Sequence, residues 1–122
     1  MRFCHVTLHV QDLDTSIRFY TDIVGLPMDK RYQAGPGTEI AFLGSGETKV
    51  ELICYKNQPA ATIGSGVSIG FEVADVLEKL NSFKGTDIPV VSEIIQPNPH
   101  VRFFYVTDPD GLRVQFLENM NP

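Results

Sequence analysis

At 122 residues, with 43% hydrophobic and 20% charged side chains and no low-complexity run, the chain is sized for one globular domain and is neither disordered nor fibrous. A formal net charge of -5, with ten Lys and Arg scattered singly, argues against a nucleic-acid or anionic-membrane partner. No apolar run suits a secretion signal or a spanning helix, so a cytoplasmic location is expected.

The first element, "RFCHVTLHV" (2 to 10), reads as a strand with Cys4, Val6, Leu8 and Val10 on one face and His5, Thr7 and His9 on the other. A half-buried strand with a wet face is the ordinary reading of two histidines so placed. "QDLDTSIRFYTDIVGLP" (11 to 27) carries Leu13, Ile17, Tyr20 and Val24 at helical spacing, with Gly25 as the stop and Pro27 beyond it. Three extended segments follow, "MDKRYQA" (28 to 34), "TEIAFLGS" (38 to 45) and "KVELICY" (49 to 55), separated by Gly-rich turns. Residues 56 to 66 read as a linker.

A second series then begins. "VSIGFEV" (67 to 73) reads as a strand, and "ADVLEKLNSF" (74 to 83) as a helix with the stripe Val76, Leu77, Leu80 and Phe83. Strands are predicted at "VVSEIIQ" (90 to 96), "VRFFYVT" (101 to 107) and "LRVQFLE" (112 to 118), the last two joined by the hairpin turn "DPDG" in which Gly111 suits a positive φ. Cys4 and Cys54 fall on apolar strand faces without CxxC spacing and read as reduced core thiols.

The two series read as a duplicated module. Moved forward by 63 positions, Val10 meets Val73, Asp12 meets Asp75, Ile17 meets Leu80 and Tyr20 meets Phe83; moved by 64, Val50 meets Val114 and Leu52 meets Phe116. The expected fold is α+β: two β-α-β-β-β modules, residues 1 to 56 and 66 to 119, within one domain. Each is a mixed sheet with a helix over one face, and the free faces curl into a cup. Under the repeat His5 corresponds to Ser68 and Glu51 to Gln115, all four on strand faces turned away from the helices.

The stretches "HVTLHVQDLDTSIRFYTDIVGL" (5 to 26), "IAFLG" with "VELICY" (40 to 55) and "FFYVTDPDGLRVQFLE" (103 to 118) resemble the vicinal oxygen chelate superfamily, and look most like bacterial glyoxalase I. The superfamily also includes extradiol dioxygenases, fosfomycin-resistance enzymes and bleomycin-sequestering proteins. The resemblance implies the glyoxalase-like fold and a divalent metal, Zn, Ni, Mn or Fe, at four positions. His5 and Glu51 match the first two; Ser68 stands where the family has His, and Gln115 where it has Glu. It implies a lyase or isomerase acting on α-oxo or hemithioacetal-type compounds, with Glu51 as the catalytic base. A metal-free binding protein of bleomycin-resistance type is the alternative, and an Fe dioxygenase a third reading. Unmetallated, His5 would pair with Glu51 across neighbouring strands, and Ser68 with Gln115.

His9, Tyr55, Glu72 and Arg113 alternate onto the same faces as candidate substrate-binding residues, and as solvated side chains if they lie at a rim. His9 occupies the place of an Arg that helps bacterial glyoxalases hold glutathione, and Tyr55 that of an Asn. His100 and Arg102 in "QPNPHVRFF" read either as a ligand-gripping lip or as part of a Pro-rich hairpin loop. The expected partners are a small-molecule ligand and, as members of this fold commonly pair modules between chains, a second copy of the chain in a homodimer.

Overall fold

In the structure, a computed structural model describing residues 1 to 120, the chain forms two compact units, Met1–Thr62 and Ile63 onward. The first contains strands β1 (His5–His9), β2 (Met28–Gln33), β3 (Thr38–Leu43) and β4 (Lys49–Tyr55) and helix α1 (Leu13–Arg18). The second contains β5 (Ser68–Glu72), α2 (Val76–Asn81), β6 (Ile95–Asn98), β7 (Val101–Thr107) and β8 (Arg113–Asn119). The strand orders are β1-β4-β3-β2 and β5-β8-β7-β6. In each sheet the first pair is parallel and the others antiparallel, as a crossover helix followed by hairpins requires. These are the two expected β-α-β-β-β modules of an α+β fold.

The helices start where the sequence supplies caps. Asp12 accepts a hydrogen bond from the Thr15 N–H at 3.0 Å, and Asp75 accepts from Leu77 and Glu78 at 3.0 and 3.1 Å. α1 continues as a π-helical turn over Phe19–Ile23, where consecutive aromatics Phe19 and Tyr20 are both buried. Gly25, at φ 93°, then turns the chain. α1 packs on β3 and β4, and α2 on β7 and β8. In the first unit Leu8, Val10, Leu13, Leu43, Val50 and Leu52 are buried with those aromatics. In the second, Phe83, Phe104 and Phe116 stack at centroid distances of 5.6 to 6.0 Å among Val76, Val106 and Val114. Between β7 and β8, Asp108 accepts from the N–H groups of Asp110 and Leu112, both at 2.9 Å, and Gly111 takes φ 88°.

Three expectations are corrected. "VVSEIIQ" is not one strand: β6 begins only at Ile95, and Val90 makes an isolated bridge to Val106. The Ser92 hydroxyl accepts the Tyr105 N–H at 3.0 Å, intercepting a donor that a continuous ladder would pair with a carbonyl, and Val90 and Val91 remain exposed with no face to bury. Leu77 is 46% exposed, because α2 is six residues long and seats its sheet-facing side through Val76. Cys4 is exposed rather than in the core: it precedes the first paired residue of β1, beyond the helix-covered area. Both cysteines are free thiols.

Candidate functional site

In the first unit the site is built on the parallel pair β1–β4. Residues opposite one another in register share a face, which places His5 beside Lys49, Thr7 beside Glu51 and His9 beside Ile53. That face is turned from α1, since Leu8, Val50 and Leu52 fill the other. The Thr7 hydroxyl donates to Glu51 Oε1, and His5 Nε2 reaches the same oxygen diagonally at 3.7 Å. Phe42, opposite Glu51 on β3, meets the His5 ring edge-on at 5.4 Å. The Glu51 side chain is 14% exposed and that of His5 is 37% exposed. Cys4 Sγ lies 3.4 Å from His5 Nδ1, on the side of the ring away from the carboxylate. A cavity of about 300 Å³ opens beside His5 and Phe42, edged by Arg2, Lys30 and the ion pair of Lys49 with Asp29 at 2.9 Å. Lys49 holds the Asp29 carboxyl below its ordinary value by donating to it.

His9 sits further along β1. Its Nδ1 accepts the Ala61 N–H at 3.3 Å and its ring meets Tyr55 edge-on at 5.0 Å. Because Nδ1 accepts, the neutral ring carries its proton on Nε2, and this buried N–H has no acceptor among the described residues. A larger cavity of about 500 Å³ in this unit lies elsewhere, where Arg31 is occupied by Asp14 at 2.8 Å and Glu39 at 3.1 Å. Those two partners raise the Arg31 pKa further.

In the second unit the corresponding strands have the same register, Ser68 beside Arg113 and Gly70 beside Gln115, but different chemistry. Gln115 is not paired with Ser68. Its Nε2 donates to the Tyr105 hydroxyl at 3.2 Å, and its Oε1 lies where a side chain at position 70 would begin, 2.8 Å from an ideal Cβ. Arg113 stacks on Tyr105 with Cζ 4.2 Å from the ring centre. Ser68 and Glu72 are exposed on β5. Arg102 is committed to Glu118 at 3.2 Å, whose Oε1 also accepts the Val76 N–H at 2.9 Å, so it braces α2.

The structure therefore brings together His5 with Glu51, His9 with Tyr55, and Arg113 with the ring that holds Gln115. Thr7, Phe42, Gly70 and Tyr105 complete these groups and were missed as site residues. Strand alternation put Thr7 on the His5 face, and the β1–β4 neighbourhood would have pointed to it. Among the described residues no cluster of three or more His, Cys, Asp or Glu side chains has metal-site geometry.

Residues 2–116 match the family model of the Glyoxalase/Bleomycin resistance protein/Dioxygenase superfamily. A lactoylglutathione lyase of Haemophilus influenzae is 30% identical over 128 residues, covering 98% of this chain and 93% of that protein. A solved structure of the trypanothione-dependent glyoxalase I of Leishmania major superposes with a TM-score of 0.83 at 27% identity, covering 97% of this chain and 86% of that one. A glyoxalase family protein from Bacillus cereus, 20% identical, shares the fold with a TM-score of 0.85 over 99% of this chain and 95% of its own.

Proposed function

Because the chain belongs to the glyoxalase/bleomycin resistance protein/dioxygenase superfamily, we propose that it is a small-molecule enzyme of glyoxalase I type, a lyase or isomerase that relocates a proton beside a carbonyl in α-oxo or hemithioacetal-type substrates. The observation that carries this reading is the Thr7–Glu51–His5 group. Two donor atoms 3.7 Å apart suit a single divalent ion at bond lengths of about 2.0 to 2.2 Å. His5 and Glu51, both in the first unit, would hold it; Ser68 and Gln115 stand at the equivalent positions of the second unit's own sheet. Such an ion, whether Zn, Ni, Mn or Fe, supplies Lewis-acid polarisation of adjacent substrate oxygens.

The remaining work falls to the chain's own groups. Thr7 and His5 both engage Oε1 of Glu51, so Oε2, with no partner among the described residues, is the atom that accepts and returns the substrate proton. Phe42 limits water on one side of the pair. Gln115 cannot titrate, so Glu51 alone of the equivalent pair carries the proton. His9 and Tyr55, whose rings meet edge-on at 5.0 Å, would contribute to substrate binding further along the same face of β1 and β4.

The test is protein equilibrated in turn with Zn²⁺, Ni²⁺, Mn²⁺ and Fe²⁺, analysed for metal content and assayed on hemithioacetals of methylglyoxal with glutathione and other thiols. We expect about one ion per chain, turnover with at least one metal, and a loss of at least about 100-fold in kcat for Glu51→Gln. Metal-loaded protein that neither turns over these adducts nor exchanges the proton of related α-hydroxycarbonyl compounds overturns it. The uncharged Ser68 and Gln115 favour a second reading, a metal-free small-molecule binder, to which absence of metal uptake in all four incubations would point.

A further inference from the structure

The second unit has lost the charged pair but kept a cation. Arg113 stands opposite Ser68 just as Lys49 stands opposite His5. Lys49 is neutralised by Asp29 at 2.9 Å, whereas Arg113 makes no ion pair among the described residues. Glu72, on the same face of β5, is four residues from Ser68, about 13 Å along an extended strand.

Arg113 is nevertheless held in place. Its guanidinium lies over the Tyr105 ring, and that ring is fixed by Gln115 at its hydroxyl, by Phe103 edge-on at 5.8 Å, and by the Ser92 hydroxyl at its backbone N–H. Stacking uses the face of the guanidinium and leaves its in-plane N–H groups available. An exposed, unneutralised fork whose rotamer is already restricted is a pre-organised receptor for a planar anion, and Ser68, opposite Arg113 in register on β5, carries a hydroxyl on the same sheet face.

We infer that Arg113, stacked on Tyr105 and flanked by Ser68, forms a carboxylate-binding subsite, so that the small molecule this chain handles is a carboxylate. This rests on the reading above only in taking the bound carboxylate to be the substrate. Two parallel N–H groups match two carboxylate oxygens, and the set offers no second cation for a phosphate's additional charge.

The experiment is a side-chain NMR titration of the full-length, metal-free chain, following the Arg113 Nε–H resonance against sodium pyruvate, the uncharged pyruvamide and inorganic phosphate at constant ionic strength. The expected result is a saturable shift with pyruvate, at least tenfold weaker with pyruvamide and phosphate. Arg113→Lys, which keeps the charge but not the fork, should weaken pyruvate binding tenfold or more, and Ser68→Ala several-fold, read from backbone resonances of Tyr105. No saturable shift with pyruvate, or an equal response to pyruvamide, overturns the subsite; tighter binding of phosphate overturns its assignment to carboxylates. Neither metal nor turnover is involved, so failure here leaves the Glu51 reading standing. If the Glu51 reading fails while pyruvate still binds at Arg113, the subsite stands without it.

Discussion

Position 7 is threonine and its copy at position 70 is glycine, and this difference sets the orientation of the residue across the strand in each unit. Thr7 offers a hydroxyl that fixes one oxygen of Glu51; Gly70 offers an empty place into which the Gln115 amide folds, releasing its NH₂ to Tyr105. Gly70→Ala would put a Cβ 2.8 Å from Gln115 Oε1, but the obstacle is the end of a flexible side chain, which can swing aside. Losing the Tyr105 hydrogen bond costs about 1 kcal/mol, and removing a glycine from the unfolded chain returns roughly 0.4 to 1. Urea unfolding of Gly70→Ala should therefore differ from the parent by less than about 1 kcal/mol, while the Gln115 side-chain amide resonances move. A loss of several kcal/mol would show that the backbone, rather than the amide, had to yield.

The two helices, six residues each, are too short to persist alone, so their caps and the sheets beneath them decide whether they form. The Thr15 N–H holds the Asp12 carboxyl below its ordinary value, with the Thr15 hydroxyl adding to the effect. For a carboxylate lowered in the folded state, the stabilisation is complete above the usual carboxylate range and is lost as pH falls through the lowered value. Asp12→Asn, which keeps a capping oxygen but cannot titrate, should match the parent Tm near neutrality and lose less of it below about pH 4. At the other cap, Asp75→Ala should cost about 1 kcal/mol in denaturant unfolding. The caps were readable because Asp at the N-cap is a local rule, and so were strands β4 and β7, which match the expected bounds. β6 was not: its neighbour segment is satisfied by Ser92, a choice made by β7 passing alongside.

At the scale of the molecule, β2 leaves all six of its residues exposed at the open edge of one sheet, and β6 all four at the edge of the other. Open edges with exposed Met28, Tyr32 and Ile95 are surfaces that a second strand or subunit can cover. Light scattering at micromolar concentration should give twice the 13.6 kDa chain mass, and a monomeric mass would refute the homodimer. The duplication was legible because both copies kept the order of their elements and the period of their apolar residues, and the structure gives them one register. Alternation also put His5 and Glu51 on the face turned from the helix, since the period of a strand is a property of neighbouring residues alone. Which atom each polar group meets was settled only in three dimensions. Glu51 depends on Thr7, 44 residues away, and Gln115 turned from Ser68 toward Tyr105, because partners across a sheet are fixed by strand register and by the space a neighbouring side chain leaves, neither of which is written in the local pattern.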